Sequence, residues 1–143
     1  MKRFDGKTAW WLWVIFVLYN LTPIAIIVFD KSFVWNALSV IGFSVCYLID
    51  IFLLPMLVRD WVDVYDDYFK FYYGFMTFTI QIKDVVSVEK SKNPIAATAN
   101  SLDRVYVKTL NKNFYLSLYK NDEFIELINS KINANNKIKS KVK

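Results

Sequence analysis

With 143 residues, the chain has room for one modest folded domain, and every residue placed in a bilayer shrinks the soluble core that remains. It has no histidine, one cysteine and three glycines, which excludes histidine-based general base catalysis, a disulfide framework or cysteine zinc site within one chain, and glycine-rich phosphate loops. The formal charge of +5 suits an anionic lipid surface or nucleic acid and does not choose between them.

Hydrophobic residues make up 55% of the chain but crowd into its first sixty positions, so its two halves face different solvents. Residues 8–29 contain no charge. Such a run, about 22 residues long, reaches roughly 33 Å as a helix, enough to cross the hydrocarbon core. It is too long for a signal-peptide core and has no small-x-small cleavage site near its end. Asp30 and Lys31 interrupt it, and a second uncharged run covers residues 32–49, continuing past Asp50 to Arg59. The pattern predicts a transmembrane hairpin over residues 1–59, with a tight polar turn between the spans. Lys2, Arg3, Lys7 and Arg59 flank the open end and only Lys31 sits in the turn, so both termini are expected in the cytoplasm, in a multi-pass cell-membrane protein. Trp10, Trp11 and Trp13 are expected at the inner interface and Trp35 at the outer one. Counting from Ser32 places Asp50 near the inner headgroups, while Pro23 reads as a kink and Gly42 as a close-packing position.

After Asp60 the hydrophobic period changes to two. Strands are predicted at residues 61–65, 68–73, 75–82 and 85–90, with turns at Asp66-Asp67, Tyr73-Gly74 and Lys83-Asp84, as an antiparallel meander. Residues 91–101, SKNPIAATANS, read as a loop, followed by strands at 103–110 and 113–118. From Asp122 the period becomes helical: Phe124, Ile125, Leu127, Ile128 and Ile132 share one face, Asn121 is a candidate N-cap, and early acids suit the helix dipole. The domain is expected over residues 60–132 and to fold without the hairpin, leaving 133–143 as a basic tail with Lys137, Lys139, Lys141 and Lys143. The fold class is therefore α+β: a two-helix membrane hairpin, then an antiparallel sheet with one C-terminal helix.

A sheet closed by one terminal helix is the outline of the pleckstrin-homology (PH) superfold. The wording YDDYFKFYYG, then Asn93-Pro94, the small residues after them, and Ser101-Leu102-Asp103-Arg104 entering a strand, resembles the bacterial PH-like domains of the YyaB-like family. Leu118 stands where that family tends to have proline. Two spans before such a domain, in a small basic protein, also resemble the self-immunity proteins of bacteria that make leaderless bacteriocins of the aureocin and lacticin type. That resemblance implies protection of the producer's membrane against a cationic, tryptophan-rich pore-forming peptide, through the peptide itself or its membrane target. The alternative is a general membrane-tethered scaffold that binds a lipid headgroup or protein partner. Candidate contacts are Lys90, Lys92 and Arg104, with an ion pair or loop cap as the competing role for Arg104, and the tail lysines at an anionic leaflet. A subunit of a larger channel or exporter is a third possibility. No enzyme activity, metal or cofactor is expected, and interleaved Lys and aromatic residues are what two-faced strands show without nucleic acid.

Overall fold

The computed structural model describes residues 1–93 and 99–141, with residues 136–141 as backbone only. Its elements run β1 (Lys2–Asp5), α1 (Trp10–Phe29), α2 (Ala37–Val58), β2 (Asp60–Val64), β3 (Tyr68–Tyr73), β4 (Met76–Gln81), β5 (Val85–Ser91), β6 (Arg104–Thr109), β7 (Asn113–Leu116) and α3 (Asn121–Lys141). The fold is α+β and PH-like: two apolar helices, antiparallel sheets and a C-terminal helix.

The six strands legible from alternation are present, and a seventh was not foreseen. Residues Lys2–Asp5, read as the basic flank of the first span, form β1 and pair antiparallel with β2. The hairpin is thus an insertion between two neighbouring strands and does not precede the domain. The first sheet has the order β1-β2-β3-β4 and the second β5-β6-β7, so the expected single meander is two sheets. A bridge between Gly6 and Leu118, with Tyr119 N–H donating to the Asp5 carbonyl, ties the β1 edge to the chain leaving β7.

Period-two patterning puts one row of each strand inside. Phe4 faces Val62, Val62 faces Phe71, and Phe71 faces Phe78 across four strands. In the second sheet Val88 faces Val107 and Val105 faces Leu116. The helical face carrying Phe124 and Ile128 covers this core, and Phe124 meets Phe4 and Phe69 edge-on at 5.4 and 5.7 Å. Phe4, 2% exposed, is therefore a core residue contributed from before the hairpin. Gly74 supplies the β3–β4 turn with φ +55°, where a side chain would also meet Met56 of α2.

Both long apolar helices form, and only Pro23 among their residues is buried. The second begins five residues later than its uncharged run, because Asn36 and Ser39 make a reciprocal capping box. The connection is accordingly longer than a tight turn, and its Phe33 and Trp35 cluster with Phe43 of α2. With this late start Asp50 is not at the helix end: Val58 lies eight positions further on, about 12 Å along the axis. Gly42 faces open space, so it marks no close helix approach. At the other end of the chain α3 runs to Lys141, so residues 133–141, expected to lie beyond the domain as a tail, continue the backbone helix.

Candidate functional site

The hairpin and the sheet meet at a hydrogen-bonded root. Gly6 N–H donates to the Asp60 carbonyl at 2.7 Å, Lys7 N–H to the Ser117 carbonyl at 2.8 Å, and Ala9 N–H to the Asn100 carbonyl at 2.9 Å. The Thr8 hydroxyl donates to the Leu57 carbonyl at 2.9 Å, joining the start of α1 to the end of α2. Antiparallel pairing of β1 with β2 forces this geometry, since it brings residues 6 and 60 together and lets both helices leave the same end of the sheet. Gly6 is needed there: a Cβ would lie 2.3 Å from the Asp60 carbonyl oxygen.

Asp60 sits in this root with 6% of its surface exposed. One carboxylate oxygen accepts from Asn100 Nδ2 at 3.3 Å, while Oδ1 has no hydrogen-bond partner. Burial pushes the carboxyl up to about 7, against a smaller opposing effect of the Asn100 hydrogen bond. Asn100 links three elements: Nδ2 also donates to the Met56 carbonyl of α2 at 2.7 Å, and Oδ1 accepts from the Tyr73 hydroxyl of β3 at 3.2 Å. Burial raises the Tyr73 hydroxyl as well, with Asp60 adding to the effect. None of Gly6, Asp60, Tyr73 and Asn100 stood out as a site in the sequence. Asp60 read as the charge that ends an apolar run, and Asn100 as one polar residue in a loop.

Cations frame the root. Arg59 lies over the rings of Trp61 and Tyr72 at 5.6 and 5.4 Å, and Arg3 lies over Trp61 at 5.2 Å. Arg3 also makes a two-pronged bond to Asp63, at 2.7 and 3.0 Å. Asp63 is buried, so Arg3 neutralises a carboxylate that would otherwise be left uncompensated. Trp10, Trp11 and Trp13 project outward at the root end of α1, and Trp35, 61% exposed, lies beyond the far end of α1. Phe75, at the tip of the β3–β4 turn, is exposed and packs edge-on against Phe52 of α2, so this turn lies alongside the apolar helix.

The residues of the family-like wording are structural. Arg104 is 6% exposed and its guanidinium donates to the carbonyls of Asn93, Ala99 and Ser101, which pins both ends of the loop. Each guanidinium nitrogen thus bonds a backbone carbonyl, the loop-cap role that competed with headgroup contact for Arg104. Ser101 exchanges hydrogen bonds with Ser117, and Asp103 N–H donates to the Ser101 hydroxyl at 3.3 Å. Asn121 opens α3 and binds outward, accepting from Leu118 N–H at 3.0 Å and donating to the Asp103 carbonyl at 3.3 Å. Leu102 and Lys92 stay at the surface with Asp103, near Lys7, which pairs with Asp103 at 3.2 Å. Lys90 pairs with Asp122 at 2.7 Å. Pro94 and Lys143 lie outside the described residues, as do the side chains of Lys137, Lys139 and Lys141.

No curated protein and no solved structure matches the chain. A family model described as Bacterial PH domain matches residues 63–132, starting within β2 and therefore leaving out β1, which the hairpin separates from the rest of its sheet. Over those residues the chain is similar to bacterial PH domains, and together with β1 they build a PH-like domain into which the apolar hairpin is inserted.

Proposed function

We propose that this chain is a membrane-anchored, non-catalytic PH-like scaffold, with the hairpin crossing the cell membrane and the domain held against the cytoplasmic headgroups. PH-like domains are in general scaffolds that bind lipids or proteins, and among the described residues Lys92 and Leu102 are the surface offered here. The observation that carries the reading is the clamped root. A tether raises the local concentration of the domain at the membrane. Two helices bonded to the domain at residues 6–9 and 56–60 also set its orientation. The helices, of 20 and 22 residues, turn nearly all their apolar side chains outward, far more surface than a soluble monomer leaves uncovered. Lys2, Arg3, Lys7 and Arg59 at the root, against Lys31 alone in the connection, favour the root on the cytoplasmic side.

Alkaline extraction and a membrane-impermeant maleimide test this. The chain is expected to stay with the membrane pellet, and with Cys46→Ser in place, Ser32→Cys should label in intact cells while Lys92→Cys labels only after lysis. Release into the supernatant would refute the spans, and the reverse labelling would refute the orientation.

The finer use supported by the architecture is self-protection against a leaderless bacteriocin. Since such peptides and this chain are both cationic, competition for anionic lipid or for a shared membrane target suits the charges better than direct attraction. Expression in a sensitive strain should raise the inhibitory concentration of at least one such peptide. An unchanged concentration across several, with the protein detected in the membrane, leaves the general scaffold.

A further inference from the structure

Where α1 and α2 leave the root they enclose a crevice of about 330 Å³, within the size range of small-molecule sites, roughly 300–1,000 Å³. Leu12 and Phe16 wall it from α1, Leu53 and Leu57 from α2, and Tyr73 with Asn100 closes it at the domain. At the other end Tyr19 spans the helix pair, its hydroxyl donating to the Cys46 carbonyl at 2.8 Å. Ile15 and Leu53 are exposed, so the crevice opens on the same apolar surface that the spans present. No charged side chain lines it among the described residues.

The donors and acceptors at the polar end select what fits. Both Asn100 amide hydrogens are engaged, one by the Met56 carbonyl and one by Asp60, and the Tyr73 hydrogen goes to Asn100 Oδ1. The remaining capacity there is acceptor lone pairs, on Asn100 Oδ1 and on the Tyr73 oxygen. Such a site takes a hydroxyl donor and offers no free hydrogen to a phosphate or carboxylate, which bring only acceptors. We infer that the crevice binds a single-chain, uncharged, hydroxyl-headed lipid of the monoacylglycerol class, its acyl chain between the helices and its head at Asn100 and Tyr73. This rests on the reading of the helices as membrane spans.

The test uses the full chain in phosphatidylcholine vesicles, with a diazirine-bearing monoacylglycerol and its lysophosphatidylglycerol counterpart as photoprobes, mapped by peptide mass spectrometry. Monoacylglycerol labelling should concentrate on residues 12–19 and 53–57 and exceed that of the anionic probe there. Leu57→Trp or Leu53→Trp, which fills the crevice, should reduce it to the level of the rest of the helices. Tyr73→Phe should reduce it about fivefold, the effect of one lost hydrogen bond. Circular dichroism checks that each variant keeps its fold. Labelling spread evenly along both helices, equal for the two probes, or unmoved by both Trp variants overturns the inference while leaving the spans standing. Failure of the chain to float with the vesicles overturns both.

Discussion

Asp60 gives this fold a pH dependence opposite to that of a carboxylate held low by a cation, such as Glu123 beside Lys2. Its carboxyl moves from an ordinary 3.8 up to about 7 because burial disfavours the charged form. Between those values the folded chain holds a proton that the unfolded chain has released, so the contribution of Asp60 to stability is full below about pH 4 and is lost as pH rises towards about 7. The gap corresponds to ~4 kcal/mol at about 1.4 kcal/mol per pH decade, a large fraction of the ~5–15 kcal/mol by which domains are stable. Asp60→Asn removes the titration and keeps a carbonyl oxygen for Asn100. The variant should match the parent near pH 4 and exceed it by up to ~4 kcal/mol at pH 8. Guanidinium unfolding of the full chain in a nonionic detergent, followed by circular dichroism at several pH values, measures both. The difference between the two proteins isolates Asp60, because Glu123, held low by Lys2 and then Lys120, contributes the opposite slope to each. A parent whose stability tracks that of Asp60→Asn across pH 4–8 would show that the carboxyl is not desolvated, and the account of the root would fail.

Three other substitutions probe the same architecture. Phe4→Ala should destabilise the domain by about 3–5 kcal/mol, the range for a buried aromatic residue, read from its denaturation midpoint. A chain beginning at Asp60 loses this packing together with the Arg3 partner of buried Asp63, and should show the poorly dispersed amide spectrum of an unfolded protein; a dispersed one would mean that β1 is dispensable. Gly6→Ala drives a methyl group into the Asp60 backbone, which cannot swing aside as a side chain could, and should lower stability by at least about 2 kcal/mol, with a lowered melting temperature as the readout. Arg104→Met removes charged hydrogen bonds to backbone carbonyls at both ends of the loop and should cost about 2–4 kcal/mol. If Arg104 acted chiefly on lipid, that variant would instead lose vesicle binding at unchanged stability.

Local pattern determined much of this protein. Two uncharged runs long enough to span a bilayer, six alternating segments separated by turn residues and one amphipathic helix each carry their signal within a few neighbouring residues, because side-chain periodicity is a local property of the backbone. Hence the α+β class, the turns at Asp66-Asp67 and Gly74, and the apolar face of α3 were legible, and the PH-like outline followed from their order. The seventh strand was not: Lys2–Asp5 carries a single apolar residue, and beside a long hydrophobic run its two cations read as a flank. Its partner lies nearly sixty residues away, and pairing across an inserted hairpin leaves no trace in either segment alone. The same holds for the extent of α3 and for Arg104, whose three carbonyl acceptors gather only when the loop closes. Tertiary structure alone placed Asp60 behind Asn100 and Tyr73, since burial of a carboxylate, and therefore its proton affinity, depends on what the rest of the chain packs around it.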